Sequence, residues 1–202
     1  MHAKLVLGIL SIVPAVLAYF WYFRDMFAGK TKPHAFSWLI WGFLAGNGYF
    51  AQVRAHAGIG AWVTGLTAAA CLVIFGFALF RGYTEPTLLD KVLLSLALVA
   101  MALLLVVDSP VIGLCITLFA TTLGFSMTLR KAYHKPQEET MRSFVLNSAK
   151  FLPAIFALQS ISFLTVAYPL MALLGNASIG ATIYFRRKKI RTKLAIKTRP
   201  VS

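Results

Sequence analysis

Residues 88–107, LLDKVLLSLALVAMALLLVV, constrain this chain more than any other stretch. Beyond Asp90 and Lys91 only Ser95 interrupts the apolar run, and no polar stripe lies along it. A helix apolar on every side belongs in a deep core or in lipid. Composition decides between the two. Of 202 residues 59% are hydrophobic, mean hydropathy is +0.76, and only 13% are charged, about half the share usual in soluble domains. A soluble domain of this length has too small a core to hide so much apolar surface. The chain therefore reads as an all-α integral membrane protein whose main partner is the lipid bilayer.

Seven segments are apolar and long enough to cross about 30 Å of hydrocarbon. They are residues 4–23, 36–52, 60–80, 88–107, 111–129, 143–163 and 165–185. The small residues at 15–18 also suit a signal-peptide cleavage site. The aromatic run that follows, YFWYF at 19–23, favours a retained helix with rings among the headgroups. Gly42, Gly46 and Gly48 thin one side of the second span, which lets a neighbouring backbone approach. Cys71 and Cys115 both fall inside spans as small apolar residues, with no spacing that suggests a disulfide framework or a metal site.

The net charge of +14 resembles a nucleic-acid signal only until its distribution is considered. Of the twenty Lys and Arg, all but Lys4, Arg54 and Lys150 fall in one alternating set of loops and in the C-terminal tail. Positive loops stay on the cytoplasmic side. The N-terminus is then expected outside and the C-terminus inside, which an odd number of spans requires. No nucleic-acid partner is expected. The basic tail, residues 188–202, is expected to be poorly ordered and to meet anionic lipid or a partner, each charge contributing about 1 kcal/mol near the surface.

A shift of 106 residues lays the second half of the chain on the first. Arg24 falls on Arg130, Ser37 on Ser143, Phe50-Ala51 on Phe156-Ala157 and Arg81 on Arg187; with one extra residue Gln52 falls on Gln159. The expected plan is two parallel three-helix repeats, residues 1–82 and 108–187, joined by a linking helix within 83–107. A three-helix unit ends on the opposite side from its start, so one extra helix restores the orientation of the second copy. Three helices, a linker and three helices with the N-terminus outside resembles the plan of SWEET and PQ-loop transporters. The segments TKPHAFSWLIW (31–41), GAWVTGLTAA (60–69) and LRKAYHKPQEE (129–139) also look like those of a group of small bacterial membrane proteins, which places the chain in a bacterial inner membrane. The Pro-Gln signature is absent from every span, since Pro136-Gln137 lies in a charged elbow. The resemblance thus implies an architecture and not a sugar substrate.

Candidate site residues follow from depth. Lys150 lies about 10 Å into the sixth span, where a lysine costs about 2.5–3.5 kcal/mol and either faces a wet interior or snorkels to the headgroups. Asn47, Asn147 and Asn176 are in-span amides that need partners, either a solute or a neighbouring helix. Trp41 shifts onto Asn147, at the level where the resemblance implies a ring lining the pathway. The resemblance also implies solute contact for an asparagine at the depth of Asn176, although the shifted position in the third span is Ala70. Trp38 is expected as an interfacial anchor. Pro14 and Pro153 interrupt spans one and six, as hinges for alternating access or as tolerated kinks.

No Asp or Glu lies well inside a span, which favours a facilitator over a carrier coupled to ions through an embedded carboxylate. His34, His56 and His134 are loop residues expected to be solvated. No nucleophile–base set, phosphate loop or metal cluster stands out. No catalytic residue, metal or cofactor is therefore expected, and the chain is not expected to be an enzyme. The expected function is a SWEET-like facilitator for a small polar or anionic metabolite. The alternative is a non-transporting membrane sensor or accessory protein of the same fold.

Overall fold

The computed structural model describes residues 2–83 and 85–197, with side chains through 193. Eight α-helices follow in order: α1 His2–Phe27, α2 Ala35–Arg54, α3 Trp62–Arg81, α4 Leu88–Leu103, α5 Pro110–His134, α6 Met141–Ala149, α7 Phe151–Ala157 and α8 Phe163–Lys197. Short 3-10 turns cover Gly58–Ala61 and Pro136–Glu138, and there is no strand among the described residues. Among the described residues four segments are long and apolar enough to cross a bilayer: His2–Phe27, Gly58–Arg81, Pro110–His134 and Phe163–Lys193. The protein is thus an all-helical membrane protein.

The burial pattern of α1 is the reverse of a soluble helix. Gly8, Ser11, Ala15, Ala18, Tyr19 and Tyr22 form its inner stripe, with most of the small residues inside. Leu5, Val6, Ile9, Leu10, Val13, Val16 and Leu17 point outward and are exposed. Lipid offers no hydrophobic gain for turning leucines inward, so close packing selects small residues for the interface. The outward apolar belt continues on α4 through Leu89, Val92, Leu96 and Val99.

Local chemistry sets the helix ends. A capping box between Thr87 and Asp90 starts α4. Ser109 caps α5, whose first residue is Pro110. Three expectations are corrected. The linking helix ends at Leu103, with turns through Val106, so it has 16 residues and not twenty. Residues 186–197 do not form a loose tail, because α8 continues unbroken to Lys197; residues 198–202 lie outside the described residues. Pro14 does not interrupt α1, which runs through it as one helix. Pro153 does mark a break: the sixth span divides at Lys150, between α6 and α7. A proline ring crowds the carbonyl four residues earlier, and here that residue is Ala149, the last of α6.

Packing places α3 against both α1 and α2, and α8 against both α5 and the α6–α7 pair. Across the bundle α1 meets α6 and α7, while α2 meets α5. Helix α4 lies outside, on α5 with a smaller contact to α2. The central core joins Tyr19, Tyr22, Trp38, Trp41, Cys71, Phe125, Phe144 and Ile179 from α1, α2, α3, α5, α6 and α8.

Candidate functional site

The break between α6 and α7 sets Lys150 in the bundle interior. Its side chain is fully buried and does not snorkel. The ammonium donates to Tyr19 Oη at 2.9 Å and to Thr67 Oγ1 at 2.8 Å. It also lies 4.6 Å from the Tyr19 ring centroid and 4.9 Å from that of Phe151, positions in which the ring faces attract a cation. An ammonium has three N–H donors, so one remains beyond those two bonds.

That ammonium borders a cavity of about 30 Å³. Trp41, Asn147 and Asn176 border it too, together with Trp38, Phe125 and Tyr168. No acidic side chain lines it. Two buried polar atoms on its wall have no hydrogen-bond partner, Trp41 Nε1 and Asn147 Oδ1. Asn147 Nδ2 reaches Ser143 Oγ at 3.3 Å. The two ends of an amide are assigned by their hydrogen bonds. Turned over, Asn147 would accept from the Ser143 hydroxyl and present its NH2 inward. Asn176 donates to Ala172 O of its own helix at 2.7 Å, leaving its second N–H and its oxygen available.

Glycines make room for the aromatic walls. A Cβ on Gly124 would lie 2.7 Å from Trp41 Nε1, and one on Gly175 would overlap the Phe125 ring. The Trp41 ring packs against Phe125 at 4.9 Å and edge-on to Trp38 at 5.3 Å between centroids. Trp38 is buried at this wall rather than at an interface, and its indole N–H donates to Tyr22 Oη at 3.1 Å.

Of the residues singled out by depth, the fold thus brings Trp41, Asn147, Lys150 and Asn176 to one cavity. Asn47 is not among them. It donates to Thr117 Oγ1 at 2.8 Å, tying α2 to α5, and borders an open groove of about 770 Å³ between α2 and α3. Tyr19 and Thr67, the two residues that hold Lys150, were not legible as site residues. Tyr19 sits in the aromatic run that resembles an interfacial belt. The repeat shift was the one available signal, since it lays Tyr19 on Phe125, and both line the cavity.

At each end of the bundle the chain is tied to itself by hydrogen bonds. At the end rich in Lys and Arg, the α1–α2 and α5–α6 connections meet. Lys131 is buried and donates to Glu139 Oε1 and to Lys32 O, each at 2.5 Å. Thr140 Oγ1 is 2.6 Å from Thr31 Oγ1 and donates to Asp25 Oδ2 at 3.1 Å. Lys32 Nζ pairs with Glu138 at 3.3 Å. Asp90 is buried and pairs with Arg130, and His34 Nε2 lies 3.8 Å from Asp90. His34 is therefore not solvated, as a loop histidine would be; burial lowers its pKa to about 4, with Lys131 and Arg130 adding to the effect and Asp90 opposing it. Burial likewise pushes the Glu139 carboxyl above the usual carboxylate range, against the pull of Lys131.

At the opposite end backbone carbonyls accept the closing bonds, from one backbone and two side-chain donors. Gln159 N donates to Ala57 O at 3.1 Å, and Lys4 Nζ to Leu158 O at 2.8 Å. Gln52 Nε2 donates to Thr165 O at 2.9 Å. The Gln159 side chain lies over Gly58, whose positive φ of 64° and lack of a Cβ leave it room. Comparison with protein-family models, with curated proteins and with solved structures finds no match for this chain.

Proposed function

We propose that the protein is a SWEET-like facilitator of a bacterial inner membrane, moving a small polar or anionic metabolite by alternating access. In this reading there are seven spans, with α6 and α7 together forming the sixth. The N-terminus is outside, and the basic end of the bundle is cytoplasmic. Helices α1–α3 and α5–α8 are then two parallel repeats around a central axis, with α4 as the linker.

The observation that carries the proposal is a reciprocal contact. Gln52 bonds Thr165, and Gln159 covers Gly58. The shift that lays Gln52 on Gln159 also lays Gly58 on Thr165. A two-fold relation requires this exchange: if i meets j, the equivalent of j meets the equivalent of i. At the other end Lys32 and Glu138, which are 106 residues apart, pair with each other as residues beside the axis would. The third helix of each unit packs against its first two, and the first helix of each meets the second of the other. The cavity at Lys150 then lies between the units, at the midpoint where an alternating-access protein holds its solute. The present conformation, tied to itself at both ends, corresponds to the occluded state.

Uptake into proteoliposomes, against a broad panel of small metabolites, tests this. Transport of at least one solute is expected, reduced about ten-fold or more by Lys150→Met. If no solute moves, or if the variant moves it at the wild-type rate, the transport reading fails. One observation favours the alternative of a sensor or accessory protein: a cavity of about 30 Å³ has room for about one water. In that case the basic stretch of α8 would contact anionic lipid or a partner.

A further inference from the structure

The chemistry of the cavity wall points to a narrower ligand class, and this step rests on the central cavity being the solute site. We infer that the cavity recognises a compact monoanion, a halide or a small carboxylate head, held between the Lys150 ammonium and the Trp41 indole N–H.

Charge is the first ground. Lys150 is buried among Tyr19, Thr67 and Phe151, and no carboxylate lines its cavity. A buried charge without a counter-charge is expensive, and hydroxyl and ring contacts offset only part of that cost. Elsewhere this chain pairs its buried charges: Lys131 has Glu139, and Asp90 has Arg130. At Lys150 the missing negative charge is the ligand's to supply.

The donor set is the second ground. Trp41 Nε1 is buried on the same wall with no acceptor, and Lys150 keeps one N–H beyond its two bonds. An indole N–H can only donate. Asn147 adapts by turning its amide, since the Ser143 hydroxyl can donate to its oxygen as readily as accept from its nitrogen. The wall thus offers donors from Trp41, Lys150 and Asn147, an Asn176 amide that can present either end, and a positive charge when Lys150 is protonated. Such a site suits an acceptor-rich anion and leaves a cation or a donor-rich polyol poorly matched.

Size is the third. A cavity of about 30 Å³ matches a single small ion such as chloride; a carboxylate head needs the walls to give way slightly, and a sugar ring is excluded in this conformation. The aromatic walls formed by Phe125, Phe151 and Tyr168 lower the local dielectric, which strengthens the attraction.

Equilibrium dialysis of radiolabelled formate with the detergent-purified full chain tests the inference, with chloride and neutral formamide as competitors at constant ionic strength set by sodium sulfate, whose dianion is too large for the cavity. Saturable binding is expected, displaced by chloride and not by formamide. Whichever of formate and chloride binds tighter identifies the carboxylate or the halide as the natural source. Trp41→Phe keeps the ring and removes the N–H; it and Lys150→Met should each weaken binding about ten-fold or more, roughly 1.4 kcal/mol. Asn47→Ala, away from the cavity, should leave it unchanged. The inference is overturned if neither anion binds saturably, if formamide competes as well as chloride, or if Trp41→Phe binds like the wild type. Anion binding without uptake of any solute would keep this site and remove the transport reading. Uptake of a neutral solute with no anion binding would do the opposite.

Discussion

At the basic end the chain meets itself through charged and hydroxyl side chains, with Lys131 on Glu139, Thr140 on Asp25 and Lys32 on Glu138. At the opposite end backbone carbonyls receive the Lys4 and Gln52 side chains and the Gln159 amide, and Gly60 and Ala57 let the turn after α2 lie against Leu158 and Gln159. The two closures resist opening in different ways. Ion pairs and hydrogen bonds are directional, depend on protonation and can exchange partners with water. Backbone contacts at glycine depend on shape, and any Cβ at the contact perturbs them. Under the proposed transport function, which opens one end at a time, this asymmetry would give each end its own means of control.

Lys131→Met should produce the largest effect, because it leaves Glu139 buried and unpaired. Breaking a buried pair costs about 3–5 kcal/mol, which would appear as a large fall in the thermal midpoint of the purified protein. Lys131→Met combined with Glu139→Gln should recover much of that loss. If the double variant is as unstable as the single, the pair is not what holds this end.

Next comes acid sensitivity. His34 has its pKa lowered from 6.5 to about 4 by burial, so the unfolded chain takes up a proton on His34 before the folded protein does. Stability from this group is fully present above about pH 6.5 and is lost as pH falls towards 4. The loss amounts to roughly 3 kcal/mol at most. Thermal midpoints between pH 7 and 4 should fall less steeply in His34→Gln than in the wild type. An unchanged slope would mean that His34 does not contribute.

At the opposite end the glycine contact should respond to shape. A Cβ at Gly60 would lie 2.9 Å from the Leu158 amide nitrogen and 3.0 Å from the Ala154 carbonyl oxygen. Gly60→Val should therefore destabilise by about 1–3 kcal/mol through overpacking, with no dependence on salt or pH. The smallest effect is expected at Lys32, which is half exposed. Lys32→Ala should change stability by less than about 1 kcal/mol, and high salt should erase even that. A larger loss would show the Lys32–Glu138 pair to be a main closure.

Helix order was legible because the apolar runs are long and charged residues punctuate them. The break at Lys150 was foreshadowed by Pro153, whose ring acts on a fixed position four residues earlier. Burial of His34, Asp90 and Glu139 was not legible. Each lies at a helix end or in a loop, where solvation is the ordinary expectation, and only the meeting of two connections removes the water. The candidate site was half legible. Depth along a span follows from residue number, which is how Lys150, Asn147 and Asn176 could be singled out. Facing requires a helix rotation as well. Asn47 is six residues beyond Trp41, a turn of about 600° at 3.6 residues per turn, so the two cannot share a face. Asn147 and Lys150, three apart, can.

What the amino-acid sequence determined by itself is a helical membrane protein with its positive charge collected at one end, because hydropathy and loop charge act segment by segment. Tertiary structure alone decided which polar groups are satisfied. It gave Lys150 two hydroxyl partners, Tyr19 and Thr67, from helices 131 and 83 residues away in the chain. It also left the Trp41 N–H without any partner on the same wall. Hydrogen bonds act over about 3 Å, and only packing brings such distant residues that close.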